Sequence, residues 1–310
     1  MDRGLRHLPE AARTLGDMAL YELRQPVDLE TPVLVAAFDG WVDGGRAGTM
    51  AAEQLAADGK VVATFDADAL FDFRARRPTL DILDGKLMEL GWAELTLRAT
   101  RLGERDLLVL TGPEPDFRWH QLTAEILELA GSLRVSSWVS LGAIPATVAH
   151  TRPVPILGTA SMAGLLPDDV TQGPTGQLRV PAALVSVLEH AAGARAIPAL
   201  GFFAQVPHYA SGAFPNAAIE LIRHVGRYLD VDPPLGDLPV KALETRALLD
   251  AAVAAEERTR DYVARLEQMA DEAKLPSGDE LIADIERFLR DQDGGGEDGG
   301  GSGSGSGRPN

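Results

Sequence analysis

The 310-residue sequence contains no cysteine, which excludes a disulfide framework, a thiolate nucleophile and a cysteine-ligated zinc or iron–sulfur site. It has no apolar run approaching the ~20 residues of a membrane span, and charges interrupt the N-terminus where a signal peptide would be apolar. These absences predict a protein of a reducing compartment. We expect it to be cytoplasmic and to have no membrane partner.

Basic residues are also scarce, since 29 lysines and arginines, of which only four are lysine, stand against 46 acids. The resulting net charge of −17 repels phosphate backbones and anionic lipid surfaces, so no nucleic acid partner is expected. The six histidines show neither an HxH nor an HExxH spacing. We therefore predict no metal site, and no motif indicates a cofactor.

What the chain does contain is a pattern of short apolar strands that alternate with helices. A continuous apolar run at residues 32–38 leads through a glycine-rich turn into a helical pattern at 46–58, and a second strand follows at 61–65. This opening predicts a βαβ crossover with parallel strands. Within residues 79–100, short alternating stretches flank an Asp-Gly pair, which predicts an antiparallel hairpin beside the sheet.

The rest of the pattern predicts about six strands with helices between them, which is typical of an α/β protein built as a three-layer α/β/α sandwich. The further strands are predicted at 107–110, 135–141, 156–159 and 196–203, and the further helices at 120–131, 181–192 and 215–229.

Composition divides the chain into four parts. We expect an N-terminal arm at residues 1–19 and the α/β/α core at 20–235. A helical extension is predicted at 240–290, where a charged helical segment runs to Lys274 and a second amphipathic helix follows at 279–290. The Gly/Ser-rich acidic tail at 291–310 lacks the apolar residues needed for packing and is expected to be disordered.

The best candidate site is the turn from Asp39 to Gly45, at the end of the first strand, where open α/β sheets place ligand crevices. Its glycine spacing fits neither a dinucleotide fingerprint nor a P-loop, and its two carboxylates would repel a phosphate. A ligand there would be an amine, a hydroxyl or a peptide group. The alternative is structural, with Asp43 capping the following helix and Asp39 fixing its own turn.

Charged residues also follow the next two core strands, so three strand ends bring such groups to one edge. Their structural alternative is ion pairing that rigidifies a loop. No residue is assigned a catalytic role. The ligand-binding candidates are Asp39, Trp41, Asp43, Gly44, Gly45, Asp66, Arg74, Arg77, Glu114, Arg118 and His208.

Four segments in order, at residues 33–45, 71–78, 108–115 and 205–209, resemble the proteasome assembly chaperone family. The resemblance is to the branch named for the second chaperone and, within it, to actinobacterial-type proteins of unassigned activity. It implies a nucleoside-phosphorylase-like core and self-association, with a trimer favoured by analogy of fold. It also implies a non-catalytic role in assembly, with proteasome-related proteins as partners.

One departure from the family concerns the C-terminus, which reads Gly307-Arg308-Pro309-Asn310 where chaperones that dock on the ring carry a hydrophobic-Tyr-any tripeptide. Docking by that route is not expected. Because of the resemblance and the lack of any complete catalytic constellation, the leading hypothesis is a non-catalytic interaction or assembly protein. The alternative is a hydrolase or transferase that acts on a small non-phosphorylated substrate in the crevice at the strand ends.

Overall fold

The computed structural model describes residues 19–174 and 176–272 of the chain. The predicted helix at 279–290, the tail at 291–310 and nearly all of the N-terminal arm lie outside the described residues.

A nine-stranded sheet forms the centre of the molecule, with the order β1-β3-β6-β7-β2-β8-β11-β9-β10. The strands, including a separate pair β4 and β5, are β1 (Tyr21–Leu23), β2 (Val33–Asp39), β3 (Lys60–Phe65), β4 (Thr79–Leu83), β5 (Lys86–Gly91), β6 (Thr96–Leu102), β7 (Arg105–Pro113), β8 (Ser137–Ala146), β9 (Ile156–Ala160), β10 (Thr171–Gln172) and β11 (Ala199–Pro207). The helices are α1 (Ala47–Leu55), α2 (Ala67–Leu70), α3 (Trp119–Ser132), α4 (Leu184–Ala194), α5 (Pro215–Leu229), α6 (Leu238–Ala255) and α7 (Glu257–Glu272).

The sheet is covered by helices on both faces, which explains the unbroken apolar run of β2. Val33 and Val35 pack in one core cluster with α1, α5 and the start of α6, whereas Leu34 and Ala36 pack in a second cluster with α3 and α4. Successive side chains of a strand point to opposite faces, so a central strand with a helix layer on each side must be apolar throughout. The predicted α/β class is confirmed.

The directions and the order of the strands depart from a simple parallel sheet in two places. β2 is parallel to β7 and β8, and β8 to β11, but β9 runs antiparallel to β11. β2 and β3 are parallel and are joined by α1, as the opening of the sequence predicts, but β6 and β7 lie between them in the sheet. β6 and β7 form an antiparallel pair, and the sequence pattern did not reveal β6.

The predicted hairpin is present as β4 and β5, but it forms a two-stranded sheet of its own. Asp84 and Gly85 have φ values of 50° and 76°, the positive values that a two-residue type I′ turn requires. Thr79 and Gly91 are directly opposite each other at the base of the hairpin.

The helical extension packs on its own chain. It was expected as one charged segment to Lys274, and in the described part it is two helices that break at Glu256. Val263 and Leu266 of α7 bury Ala149, which follows β8. Polar contacts join the same segments: His150 Nε2 lies 3.0 Å from Asp250 Oδ1, Thr151 Oγ1 donates to Glu267 Oε1 at 2.5 Å, and Arg152 donates to Asp271 at 2.6 and 2.9 Å.

Candidate functional site

Five strands end at one edge of the sheet, because β2, β3, β7, β8 and β11 all run in the same direction. We call this edge the strand-end face and define it as residues 39–46, 66–78, 113–118 and 207–209. All eleven candidates named from the sequence lie in these segments. Their contacts show which of them come together.

Asp43 is buried, with 8% of its surface exposed, and it holds the first turn of α1. Its Oδ1 accepts hydrogen bonds from the backbone N–H groups of Gly48 at 2.7 Å and Thr49 at 3.3 Å, and its Oδ2 accepts from the Thr49 hydroxyl at 2.6 Å. Burial raises the pKa of Asp43 to about 6, against the lowering by these hydrogen bonds, and the charge of Asp39 adds to the rise. This geometry fits the structural alternative, in which Asp43 stabilises the helix start.

The glycines of this turn differ in how strictly they are required. Gly45 has φ 62°, in the left-handed region, and a Cβ there would lie 2.7 Å from Cβ of Phe214. Gly44 has no such angle, and its Cβ would lie 3.3 Å from the carbonyl oxygen of Ala143. The backbone constraint of this turn therefore falls mainly on Gly45.

Glu114 joins three segments of the molecule. Its Oε1 accepts from the backbone N–H of Leu184 at 2.6 Å, at the start of α4, and its Oε2 accepts from the N–H of Trp41 at 3.4 Å. Its own N–H donates to the carbonyl of Asp39 at 3.0 Å, and Arg76 donates to its carbonyl at 3.4 Å. Contacts thus bring Asp39, Trp41 and Glu114 together, with both carboxylate oxygens of Glu114 engaged by backbone.

The remaining charged candidates make separate local contacts. Asp66 caps α2 by accepting from Ala69 N–H at 3.2 Å, and Arg118 directly precedes α3 and donates to Gln121 at 3.3 Å. His208 contacts the carbonyl of Ala146 and lies 3.4 Å from the Tyr262 hydroxyl of the extension. Arg74 and Arg77 are exposed.

These contacts show that hydrogen bonds from backbone N–H groups engage the carboxylates of Asp43 and Glu114 on the strand-end face. Within residues 19–174 and 176–272, no group of three or more His, Asp or Glu side chains could hold a metal ion. What the face does present to solvent is aromatic surface, since Trp41 is 71% exposed and Phe117 is 49% exposed. Large aromatic side chains are enriched among the residues that dominate protein interfaces.

Comparison with known proteins identifies the family of the chain. The model of the PAC2 family matches residues 37–253, which is most of the chain. The chain belongs to the PAC2 family. The resemblance to proteasome assembly chaperones inferred from the sequence is thereby confirmed, and no curated protein matches the chain.

Solved structures of actinobacterial proteins share the fold. A Mycobacterium tuberculosis protein of unknown function is 32% identical, with a TM-score of 0.77 over 83% of this chain and 92% of that one. A proteasome-assembly chaperone homologue from the same organism is 35% identical, with a TM-score of 0.67 over 74% and 99%. A PAC2 family protein of Streptomyces avermitilis is 34% identical, with a TM-score of 0.66 over 75% and 99%.

The PAC2-family chain also contains a cavity that the sequence did not reveal. It has a volume of about 350 Å³ and lies between α4 and β9, and its walls include Glu189 and Ser161. Thr159 donates to Glu189 Oε1 at 2.6 Å, and burial raises the pKa of Glu189, against the lowering by the Thr159 and Ser140 hydroxyls. Ala160 in the wall of the cavity is opposite Leu200, at the start of β11. The cavity therefore lies toward the opposite ends of the strands from the strand-end face.

A carboxylate on the apolar face of a predicted helix was the one signal that could have located this cavity. A second missed feature is the exposure of the hairpin of β4 and β5, whose side chains all face solvent. None of the helices in the described part of the PAC2-family chain is long and apolar enough to cross a bilayer.

Proposed function

We propose that this PAC2-family protein is a non-catalytic interaction protein that acts in the assembly of other protein complexes, with the strand-end face as its partner surface. The observation that carries the proposal is the engagement of the conspicuous carboxylates of that face, Asp43 and Glu114, by backbone N–H groups. A carboxylate that accepts from backbone donors holds the local fold, so a structural role accounts for both side chains without a substrate.

The exposed surface of the same face supports protein binding. Trp41 projects from the turn that Glu114 holds through the Trp41 N–H. Phe117 lies in a loop that is held by its own backbone N–H, which donates to the carbonyl of Leu70 at 3.1 Å. A large aromatic side chain on a backbone held in place loses little conformational entropy when a partner covers it. Both side chains therefore have the character of interface anchors.

The class of partner follows from the family. A solved relative is a proteasome-assembly chaperone homologue, so we propose proteasome-related proteins as the partners of this chain. We further propose that the core has the nucleoside-phosphorylase-like architecture, that the protein is cytoplasmic, and that it works as a homo-oligomer, with a trimer favoured by analogy. The division into a core at residues 20–235 and a helical extension after it is likewise a proposal.

A second candidate function is a hydrolase or transferase that acts on a small non-phosphorylated substrate. The cavity beside Glu189 favours it, because a buried carboxylate with a raised pKa is better suited to hold and exchange a proton. The cavity lies away from the crevice for which this function was predicted. Glu189 is engaged by Thr159 at 2.6 Å, and Ser161 in the same wall accepts from the Ala199 N–H at 3.0 Å, so the two are not paired as base and nucleophile.

Binding to purified proteasome subunits from the same host tests the leading proposal. The variant Trp41→Ala with Phe117→Ala should weaken binding by roughly 30-fold or more, since an anchor of an interface contributes about 2 kcal/mol. The matched control is Leu23→Ala with Met162→Ala, which removes exposed apolar side chains outside that face and should bind like the wild type. Equal binding by both variants would exclude the strand-end face.

A thermal-shift screen with amines, nucleosides and short peptides tests the enzyme alternative. A small molecule that raises the melting temperature of the wild type but not of Glu189→Gln would support that alternative, because a ligand of the folded state stabilises it by mass action. Stabilisation lost only in Asp43→Asn would instead locate a ligand at the turn after β2.

A further inference from the structure

Glu189 is a buried carboxylate on the side of α4 that packs on the sheet. Its side chain belongs to a residue that is only 9% exposed, and the other buried residues of this helix are apolar, namely Leu184, Val185, Leu188 and Ala192. Moving a carboxylate from water into such surroundings is costly, and burial raises the pKa of Glu189. An apolar residue would fill this position without that cost, so packing alone does not account for the carboxylate.

One oxygen of the Glu189 carboxyl group is hydrogen-bonded and the other is not. Oε1 accepts from the Thr159 hydroxyl at 2.6 Å, whereas Oε2 is buried and has no hydrogen-bond partner among the residues that the structure describes. The Ser140 hydroxyl lowers the pKa of this carboxyl group but makes no hydrogen bond to Oε2, which lies against Gly201, where an added Cβ would be 2.6 Å away. Because the terminal torsion of a glutamate is soft, the carboxyl group can turn this oxygen toward a donor that a ligand supplies.

The cavity beside this carboxyl group has the size of a site for a small molecule. Its volume of about 350 Å³ is at the lower end of the range for ligand pockets. Its wall is partly apolar, with Phe203, Ala160 and Ala194, and partly polar, with Ser186 and His190. No lysine or arginine in the described part of the chain lines the cavity, so the wall supplies neither cation to Glu189.

We propose that this cavity binds a small organic ammonium ion, with the Glu189 carboxylate as its anionic partner. An ammonium group brings both the donors that Oε2 lacks and the positive charge that the wall lacks. Phe203 lies in the same wall, and an aromatic ring attracts a cation that is placed over its face. The net charge of −17 raises the concentration of cations around the molecule. This site goes beyond the proposed function, which concerns proteins at the strand-end face.

The same features disfavour other classes of small molecule. A phosphate or a carboxylate would be repelled by the charge of Glu189, and the described wall has no lysine or arginine with which to bind it. A neutral alcohol could donate to Oε2 but would leave the buried charge without a partner. The site should therefore prefer an ammonium ion over a neutral molecule of the same shape.

Calorimetric titration of the full-length protein with choline and with putrescine tests the proposal. Each ion is compared with an alcohol of the same shape, in which carbon or oxygen replaces nitrogen. The titrations are made at about 0.15 M salt, where the attraction of the acidic surface is screened beyond ~8 Å. We expect at least one of the ions to bind with a Kd below about 1 mM, and its alcohol to bind at least about tenfold more weakly. Failure of both ions to bind in this range overturns the proposal, as does equal binding by the alcohol.

Two substitutions locate the bound ion. Glu189→Gln keeps the size of the side chain and an acceptor for the Thr159 hydroxyl but removes the charge, so the affinity for the ion should fall at least about tenfold. Asp43→Asn is the matched control, because it also removes a buried carboxylate, but at the strand-end face. It should bind the ion like the wild type. Wild-type affinity in Glu189→Gln, or an equal loss in both variants, overturns the proposal.

A third variant keeps the proposal testable if Glu189→Gln fails to fold. Ser186→Leu places a larger side chain in the wall of the cavity, on the same helix, and leaves the Glu189 carboxyl group in place. Leucine is a strong helix former, so α4 should tolerate the change. We expect the ion to bind at least about tenfold more weakly, because the leucine side chain takes up part of the cavity. Wild-type affinity in Ser186→Leu would show that the ion binds elsewhere and would overturn the proposal.

Discussion

Replacing the buried carboxylate Asp43 by asparagine should change how the stability of the protein depends on pH. Asparagine keeps the shape of the side chain, and its Oδ1 can still accept from the Gly48 N–H, which donates at 2.7 Å in the wild type. Its amide can face the Thr49 hydroxyl, which then acts as the acceptor. The substitution therefore removes the charge and leaves the start of α1 hydrogen-bonded.

The magnitude follows from the pKa of Asp43, which burial raises from 3.8 to about 6. Between these values the folded chain binds a proton that the unfolded chain has lost, so the stability of the wild type falls as pH rises through this window. The penalty is absent below the unfolded pKa and complete above the folded one. A rise of this size corresponds to about 3 kcal/mol. The asparagine side chain of the variant does not titrate and carries no such penalty.

Urea denaturation at a series of pH values gives the measurement. The stability of Asp43→Asn relative to the wild type should increase by up to about 3 kcal/mol from about pH 4 to about pH 7. Asp66→Asn, at an exposed cap on α2, controls for the loss of a cap carboxylate at a solvated position and should show a much smaller change. A difference between Asp43→Asn and the wild type that stays constant over this range would refute the argument.

Three further predictions rest on single contacts or on sequence composition. Gly45→Ala should lower the free energy of unfolding by roughly 1–3 kcal/mol more than Gly44→Ala, measured by urea denaturation, because only Gly45 of the two has a positive φ; equal effects would contradict this. Glu114→Ala should cost about 1–3 kcal/mol by leaving the Leu184 N–H without its acceptor, and a loss below about 0.5 kcal/mol would show that solvent replaces it. Truncation before Asp291 should leave the melting temperature nearly unchanged in calorimetry, whereas a drop of several degrees would show that the tail packs.

The parts of the fold that the sequence predicts well depend on local pattern. The apolar run of β2 indicates burial on both faces, and Asp84-Gly85 indicates a two-residue turn, because each property belongs to a few consecutive residues. The order of the strands in the sheet, by contrast, depends on residues that are far apart in the sequence. β6 pairs with β3 although the whole hairpin of β4 and β5 separates them along the chain. The residues of neither strand indicate which other strand it will pair with.

Prediction of the candidate site from the sequence is limited in the same way. Asp43 could be recognised as a residue at a helix start, but a carboxylate there can cap the helix or bind a ligand, and burial decides between the two roles. Glu114 lies 70 residues from Leu184, from whose N–H it accepts, so its engagement follows from the docking of α4 on the sheet. Proximity to the strand ends was predictable from topology, whereas the hydrogen bonds that occupy the carboxylates were not.

The opposition of Thr79 and Gly91 makes the hairpin of β4 and β5 an exchangeable module. Directly opposed residues of an antiparallel pair have Cα atoms about 4.5–5.5 Å apart, so the chain leaves the core and returns to it at nearly the same point. Loop closure over so short a gap costs little more when the excursion is long than when it is short. The hairpin can thus be shortened, lengthened or exchanged between homologues without disturbing the sheet. Chimaeric proteins could be assembled in which the core of one homologue carries the hairpin of another.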